Sequence, residues 1–264
     1  MRFDYHTHTP LCGHATGHPR DYVRRARELG LDEIGFSDHN PMPAQFDEWR
    51  MAPEEFPAYL ELIRETRAEF PGYPIRLGLE CDFVPGYEDH IRTLATRAPF
   101  DYLIGSVHYI LPGWDVDNPM KLSEWKKHPV EEVWSLYFKT LTQAACSGLY
   151  DFLGHPDLVK KFAFFPPGDL RRFYLETLDA IRDHDLAIEI NTAGLRKDVK
   201  ELYPSRDFLA EAFRRSIPIL INSDAHAPAE VGLNFDEAIQ LARDVGYTSL
   251  VRFENRQRIP VPIG

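Results

Sequence analysis

The sequence predicts an α/β fold, a single (β/α) barrel of distorted shape, and three observations carry that reading. Short apolar runs and helical patterns alternate seven or eight times along 264 residues, the length of one such barrel. Most of the apolar runs are continuous rather than alternating, as in parallel strands buried on both faces. A dinucleotide-binding sheet would place a glycine-rich turn after its first strand, where this chain reads His6-Thr7-His8-Thr9.

Taken in order, the first strand is expected at 3–6. The helix at 19–29 opens on Pro19, carries Asp21 in its first turn and stops at Gly30. A strand at 33–37 and a helix at 54–70 follow, then a strand at 75–82, a helix at 87–98 and a strand at 102–108. Residues 112–128, with Trp114, Pro119 and Trp125, read as a longer loop inserted over the site. Glu131 and Glu132 mark the start of a helix at 129–147, and Gly148 its end. Beyond lie a strand at 152–154, a helix at 168–184 and a strand at 187–191. Ser205 heads a helix at 205–215; a strand at 217–222 and a helix at 234–245, stopped by Gly246, precede the last strand at 249–253. Neither repeats nor a linker divide the chain, so one domain over 1–264 is expected.

Composition narrows the function. With 44% hydrophobic and 27% charged residues the chain has ample material for a core. Nothing approaches the roughly 18 consecutive apolar residues of a membrane span, and the N-terminus lacks an apolar leader. The three cysteines are odd in number and without paired spacing, which suits reduced thiols and a cytoplasmic location. A net charge of -11 argues against a nucleic-acid surface. It is compatible with a phosphate substrate, because metal ions and a few basic side chains reverse the field locally.

Two residues apart in a strand, His6 and His8 face the same side and can share an ion. With 11 histidines in the chain such a pair arises readily by chance, so the pair alone decides little. Position decides more. His39, Glu80, His108, His155, Asp224 and His226 all fall at the C-terminal end of an expected strand, and His14 in the loop after the first. That end of a parallel barrel carries its chemistry. Independent solvated side chains would not gather where they must desolvate together, so the seven histidines and two carboxylates read as a metal site. Nine imidazole and carboxylate ligands suffice for two or three ions; mixed nitrogen and oxygen donors suit Zn, Fe or Mn, and the sequence does not separate these.

The motifs His6–Thr9, Ser37-Asp38-His39, Glu80, His108, Gly154-His155 and Ser223-Asp224-Ala225-His226 resemble the polymerase and histidinol phosphatase (PHP) superfamily over nearly the whole chain. Cys12-Gly13-His14-Ala15, the segments 78–88, 105–109 and 189–197, and Tyr203-Pro204-Ser205 are similar to its histidinol-phosphate phosphatase branch. The resemblance implies a distorted (β/α)7 TIM-like barrel with three divalent ions at the strand ends. By that resemblance one ion takes His6, His8, Glu80 and Asp224. A second shares Glu80 and takes His108 and His155, and the third takes His14, His39 and His226. The implied activity is hydrolysis of L-histidinol phosphate to L-histidinol and phosphate, in histidine biosynthesis, through attack by a metal-bridging hydroxide.

Arg196, following an expected strand, is the first choice for holding phosphate, with Lys160 and Lys161 behind it. Asp82, Tyr109 and Trp114 are candidates for the ammonium and imidazole of the substrate. Asp38 and Ser223 are expected to orient ligands, while Cys12 and Cys81 read as small packing residues. The acid for the leaving oxygen is Asp224, His226 or a metal-bound water, and the residues do not choose among them. Other readings stay open: a relative acting on another small phosphomonoester or a nucleotide, a barrel amidohydrolase, and a non-enzymatic scaffold. A small phosphorylated amino alcohol is the expected partner, with no nucleic acid or membrane, and homo-oligomer formation is left undecided.

Overall fold

In the computed structural model, which describes residues 1–43 and 46–263, strands and helices alternate around a closed parallel sheet. The strands are β1 Phe3–Asp4, β2 Glu33–Phe36, β3 Ile75–Asp82, β4 Tyr102–Ser106, β5 Tyr109–Leu111, β6 Trp114–Asp115, β7 Phe152–Leu153, β8 Ala187–Asn191, β9 Ile219–Asn222, β10 Ser249–Glu254 and β11 Gln257–Pro262. The helices are α1 Pro19–Glu28, α2 Phe56–Glu69, α3 Glu88–Ala95, α4 Leu122–Trp125, α5 Val130–Cys146, α6 Arg171–Asp183, α7 Arg206–Arg214 and α8 Phe235–Val245.

Seven strands pair in the order β1-β2-β3-β4-β7-β8-β9, every pair parallel. A parallel bridge between Thr7 and Ala225 brings the first strand's path against the last. The His8 amide donates to the Ala225 carbonyl at 2.9 Å and the Ala225 amide to the His6 carbonyl at 3.1 Å. The barrel therefore has the seven strands that the resemblance implied. The strand expected at 249–253 lies outside the parallel sheet. β10 pairs antiparallel with β11 through a two-residue turn at Asn255-Arg256, both left-handed. Arg252 and Glu254 reach Glu33 and Arg76, and the turn amides bond to Asp101, so the hairpin caps the N-terminal strand ends.

The expected helix positions are all occupied, and their ends obey local rules. Pro19 sits at the first position of α1 with His18 accepting from the Arg20 amide; Ser205 caps α7 through the Phe208 amide. Gly30 and Gly148 follow α1 and α5 with φ of +70° and +67°, a region that excludes most side chains. The expected plain loop at 112–128 has structure of its own: β6 folds back on β5, and α4 follows.

Inside the barrel, aromatic rings fill the volume that the strands enclose. Tyr102 lies over Gly78, where an added Cβ would stand 2.3 Å from its ring. Its hydroxyl donates to the Tyr5 carbonyl, and its ring stacks on Tyr5 with centroids 5.0 Å apart. Above this layer, at the C-terminal ends, buried polar residues gather, and below it a second buried polar group of Glu33 and Asp101 closes the N-terminal end.

Candidate metal centre

Each barrel strand delivers a polar side chain as it leaves the sheet. His6 and His8 follow β1, and a parallel bridge joins His39 to Glu80 at the end of β3. His108 follows β4, His155 follows β7, and Asp224 and His226 follow β9. His155 and Asp224 hold left-handed backbones, with φ of 25° and 53°. Non-glycine residues in that region cost about 1–3 kcal/mol and concentrate at functional sites.

Glu80 is the hub. Its Oε2 lies 2.9 Å from His39 Nδ1, 3.2 Å from His6 Nε2 and 3.6 Å from His8 Nε2. Its Oε1 lies 3.0 Å from His155 Nε2 and 3.7 Å from His108 Nε2. Asp224 Oδ1 stands 3.3 Å from His8 Nε2 and 3.8 Å from His6 Nε2. On the far side of His8, the rings of His14 and His226 stand 4.5 Å apart. Three-residue sets able to hold an ion include His6, His8 and Asp224; His6, Glu80 and His155; and His14, His39 and His226, the ligand atoms in each lying within 4.8 Å of one another. Thus all nine sequence candidates meet at one place.

Whether these residues suit divalent cations is tested by their unpaired atoms. His6 Nε2, both nitrogens of His8, His39 Nδ1, Glu80 Oε2, His155 Nδ1 and His226 Nε2 are shielded from solvent with no hydrogen-bond partner. Each such atom costs about 1–3 kcal/mol if nothing meets it. Of these, His6 Nε2, His8 Nε2, His39 Nδ1, Glu80 Oε2 and His226 Nε2 gather around one place and fit cations as their missing partners.

Around the cluster a second layer fixes the rings. Glu189 accepts from His6 Nδ1 at 2.8 Å, and also from the His155 amide and the side-chain amides of Asn191 and Asn222. Asp82 Oδ1 accepts from His108 Nδ1 at 2.7 Å. The carbonyls of Cys12 and Asp224 take His14 Nδ1 and His226 Nδ1. With those nitrogens engaged, the Nε2 atoms are left for ligation. Asp38 lies 3.5 Å from His8 Nδ1 and accepts from Thr9. Ser223 bonds to Asp4, whose carboxyl burial pushes up to about 6. Cys12 and Cys81 are buried, and burial pushes the Cys12 thiol up to about 12.

Charge and burial oppose each other across the histidines. Burial draws the His8 imidazole down, but the nearby carboxylates of Asp224 and Asp38 prevail and hold it at about 9. At His108 burial again acts downward, and Asp82 overcomes it to give about 10. Burial wins at His39, pushed down to about 4 despite Glu80, and at His226, held well below its ordinary range. Burial would raise Glu80 and Asp224, yet the surrounding imidazoles, His6 foremost, keep both carboxylates well below their ordinary range.

The cluster floors a cavity of about 470 Å³. Arg196, Lys161 and Lys197 face it from one side, Asp115 and Asp117 from the inserted segment, and Trp49 beside His39. Arg196 donates through Nη2 to the Ser223 carbonyl at 2.8 Å and pairs with Glu230, while Nη1 has no partner. Lys161 pairs with Asp117 at 2.9 Å.

Four residues expected to contact substrate lie away from the cavity lining. Lys160 is buried in the opposite direction, bonded to Glu201, Asp157 and the Leu202 carbonyl. Asp82 is a partner of His108, not a cavity wall. Tyr109 gives its hydroxyl to Asp47, and Trp114 packs on Trp125 and His128. Neither lines the cavity. Conversely, Glu189, Trp49, Arg50, Lys197, Asp115 and Asp117 escaped the sequence reading. Glu189 alone left a signal, a carboxylate inside the apolar strand Ala187–Asn191.

Comparison with known proteins agrees with this geometry. The sequence model of a family described as PHP domain matches residues 4–193. A protein of Deinococcus radiodurans named probable histidinol-phosphatase is 43% identical over 259 residues, 97% of this chain and 98% of that one. The histidinol-phosphatase of Bacillus subtilis is 29% identical, over 90% of this chain and 98% of its own. Among solved structures, the histidinol phosphate phosphatase of Lactococcus lactis, complexed with zinc, L-histidinol and phosphate, superposes with a TM-score of 0.82. It is 25% identical, with 98% of each chain covered.

Proposed function

The chain belongs to the PHP domain family, and from that premise we propose that it is a histidinol-phosphatase, hydrolysing L-histidinol phosphate to L-histidinol and phosphate. The observation that carries the reading is the convergence of unpaired imidazole and carboxylate atoms beneath a cavity with cationic and acidic walls. The enzyme depends on divalent metal ions, as its family and the zinc-containing relative indicate. Among the described residues no helix is long and apolar enough to cross a membrane.

We assign three ions to the nine ligands: His6, His8, Glu80 and Asp224 for one; Glu80, His108 and His155 for another; His14, His39 and His226 for the third. The ligand atoms' spacing supports the sets His6, His8, Asp224 and His14, His39, His226, while His108 joins the middle set through its 3.7 Å approach to Glu80; zinc, iron and manganese all suit the donors. When bound, such ions neutralise phosphate oxygens and lower the pKa of water to about 7, supplying a nucleophile at neutral pH.

The chain's own residues do the rest. Arg196, held by the Ser223 carbonyl and Glu230, presents its partnerless Nη1 as a phosphate donor. Lys197, whose ammonium burial depresses, adds a second positive group beside it. Asp224 and His226 line the cavity, the first held as a carboxylate and the second as a neutral imidazole, the forms in which each would hold an ion. Asp115 and Asp117 add carboxylates to the lining, the charge an ammonium-bearing alcohol needs, with Asp117 also paired to Lys161. Residues 112–128 act as a wall over one barrel unit.

The deciding experiment compares phosphate release from histidinol phosphate and from p-nitrophenyl phosphate by the metal-loaded protein. A clear preference in kcat/KM for histidinol phosphate is expected. Equal or lower efficiency would point instead to another small phosphomonoester.

A further inference from the structure

We propose that Arg50 is a positioning residue that joins the cavity wall to the metal centre, holding His108 through Asp82 and Trp49 through its own guanidinium face. The proposal rests on the metal-dependent hydrolase reading above, and it concerns a residue that reaches an assigned ligand, His108, only through Asp82.

Arg50 is almost wholly buried, an unusual place for a guanidinium unless every donor is met. Here the donors are met. Nη2 reaches Asp82 Oδ2 at 2.8 Å and Asp47 Oδ2 at 2.6 Å, Nε reaches Asp47 at 2.8 Å, and Nη1 reaches the Asn40 carbonyl at 3.0 Å. The plane lies over the Trp49 indole, with Cζ 4.4 Å from its centroid. Three separate segments thus converge on one planar group.

What makes this more than a structural anchor is the sharing of Asp82. One carboxylate oxygen takes the guanidinium and the other takes His108 Nδ1 at 2.7 Å. Arg50 therefore fixes the carboxylate that fixes the imidazole, and such outer partners set both the orientation and the basicity of a ligand. Trp49, on the opposite side of Arg50, lines the cavity and stands edge-on to His39 at 4.6 Å and His108 at 5.3 Å. Its Nε1 donates to Asp115 Oδ2 at 3.2 Å, tying the wall to the inserted segment. Loss of Arg50 leaves Asp82 with a lone histidine partner and Trp49 with only Tyr109 stacked on it. The affinity for the ion at His108 and the fit of substrate against Trp49 then weaken together, although Arg50 lines neither place.

The test uses the full chain, stripped of ions by chelation and reloaded with Zn2+ or Mn2+, as wild type, R50Q and R50K. Ion affinities are measured by competition with a chromophoric chelator, and kcat and KM for histidinol phosphate and p-nitrophenyl phosphate alongside them. For R50Q we expect one ion to bind roughly 10–100-fold more weakly, the others unchanged, with a raised KM. R50K restores the ion affinity to within a few-fold, because an ammonium still meets Asp82. It keeps the raised KM, because it lacks the planar fork that meets Asp47, Asn40 and the indole together. Folded R50Q with wild-type ion affinities and KM overturns the proposal. Should R50Q not fold, R50K with a wild-type KM overturns it equally. Failure of the wild type on histidinol phosphate would sink the substrate assignment alone, since the ion affinities still judge Arg50.

Discussion

Glu189 accepts the Nδ1 proton of His6 at 2.8 Å, and both side chains are fully buried. The same carboxylate accepts three further donors, including the amide of His155, so it fixes two candidate ligands from different strands. It never needs to donate. Glutamine there would turn an N–H toward groups that are already donors. We expect E189Q to bind metal roughly 10–100-fold more weakly, read by titration of the ion-stripped protein. Unchanged affinity would refute the role of Glu189.

Arg196 offers the cavity its one guanidinium nitrogen without a partner, among the described residues that line it. A hydrogen bond to a charged group is worth about 1.5–3 kcal/mol, so R196A should lose roughly 10–100-fold in kcat/KM. R196K should recover only part, lacking the planar fork. Steady-state kinetics check both, and an R196A enzyme of wild-type efficiency would move the phosphate elsewhere.

Metal uptake should release protons. Without ions His8 is held at about 9 and His108 at about 10, above the ordinary imidazole value of about 6.5. Their protonated forms stabilise the ion-free fold fully below pH 6.5, and that contribution disappears as pH rises through 9 to 10. Ligation needs the neutral rings, so affinity for ions should rise with pH across the same window. Calorimetry of zinc binding at pH 7.5, in buffers of differing ionisation heat, should show net proton release. A buffer-independent heat would contradict it.

Chelation should lower the melting temperature, because ions that bind only the folded chain stabilise it. An ion at a hundred times its Kd adds about 2.7 kcal/mol. Dialysis against EDTA followed by Zn2+ or Mn2+ should lower and then restore the transition. Identical melting curves in all three states would exclude a metal contribution to the fold.

Gly78 leaves no room for a methyl group beneath Tyr102, whose ring would lie 2.3 Å from the added carbon. Overpacking of this kind costs about 1–3 kcal/mol. G78A should therefore shift the urea midpoint downward with an unchanged slope. No shift would mean that the tyrosine can move aside.

The sequence by itself determined the barrel's elements and the nine residues that meet at its mouth. Buried strands and amphipathic helices are local patterns, and a strand's C-terminal end is a local position, so His39, Glu80, His155 and Asp224 were legible from where each run stops. Strand closure was not local. Residues 249–253 have a strand's composition, yet β10 turns back on β11, because pairing partners are chosen by the whole sheet.

Only the tertiary structure decided what stands behind and above the ligands. Glu189 meets His6 across 183 positions and Arg50 meets Asp82 across 32, contacts to which no spacing rule applies. Side-chain direction settled the remainder. Lys160 and Lys161 are neighbours in the chain, but one turns into the protein to meet Glu201 and the other lines the cavity against Asp117. Successive residues of a short turn point different ways, so chain position near a ligand brings a group close to the site without aiming it there.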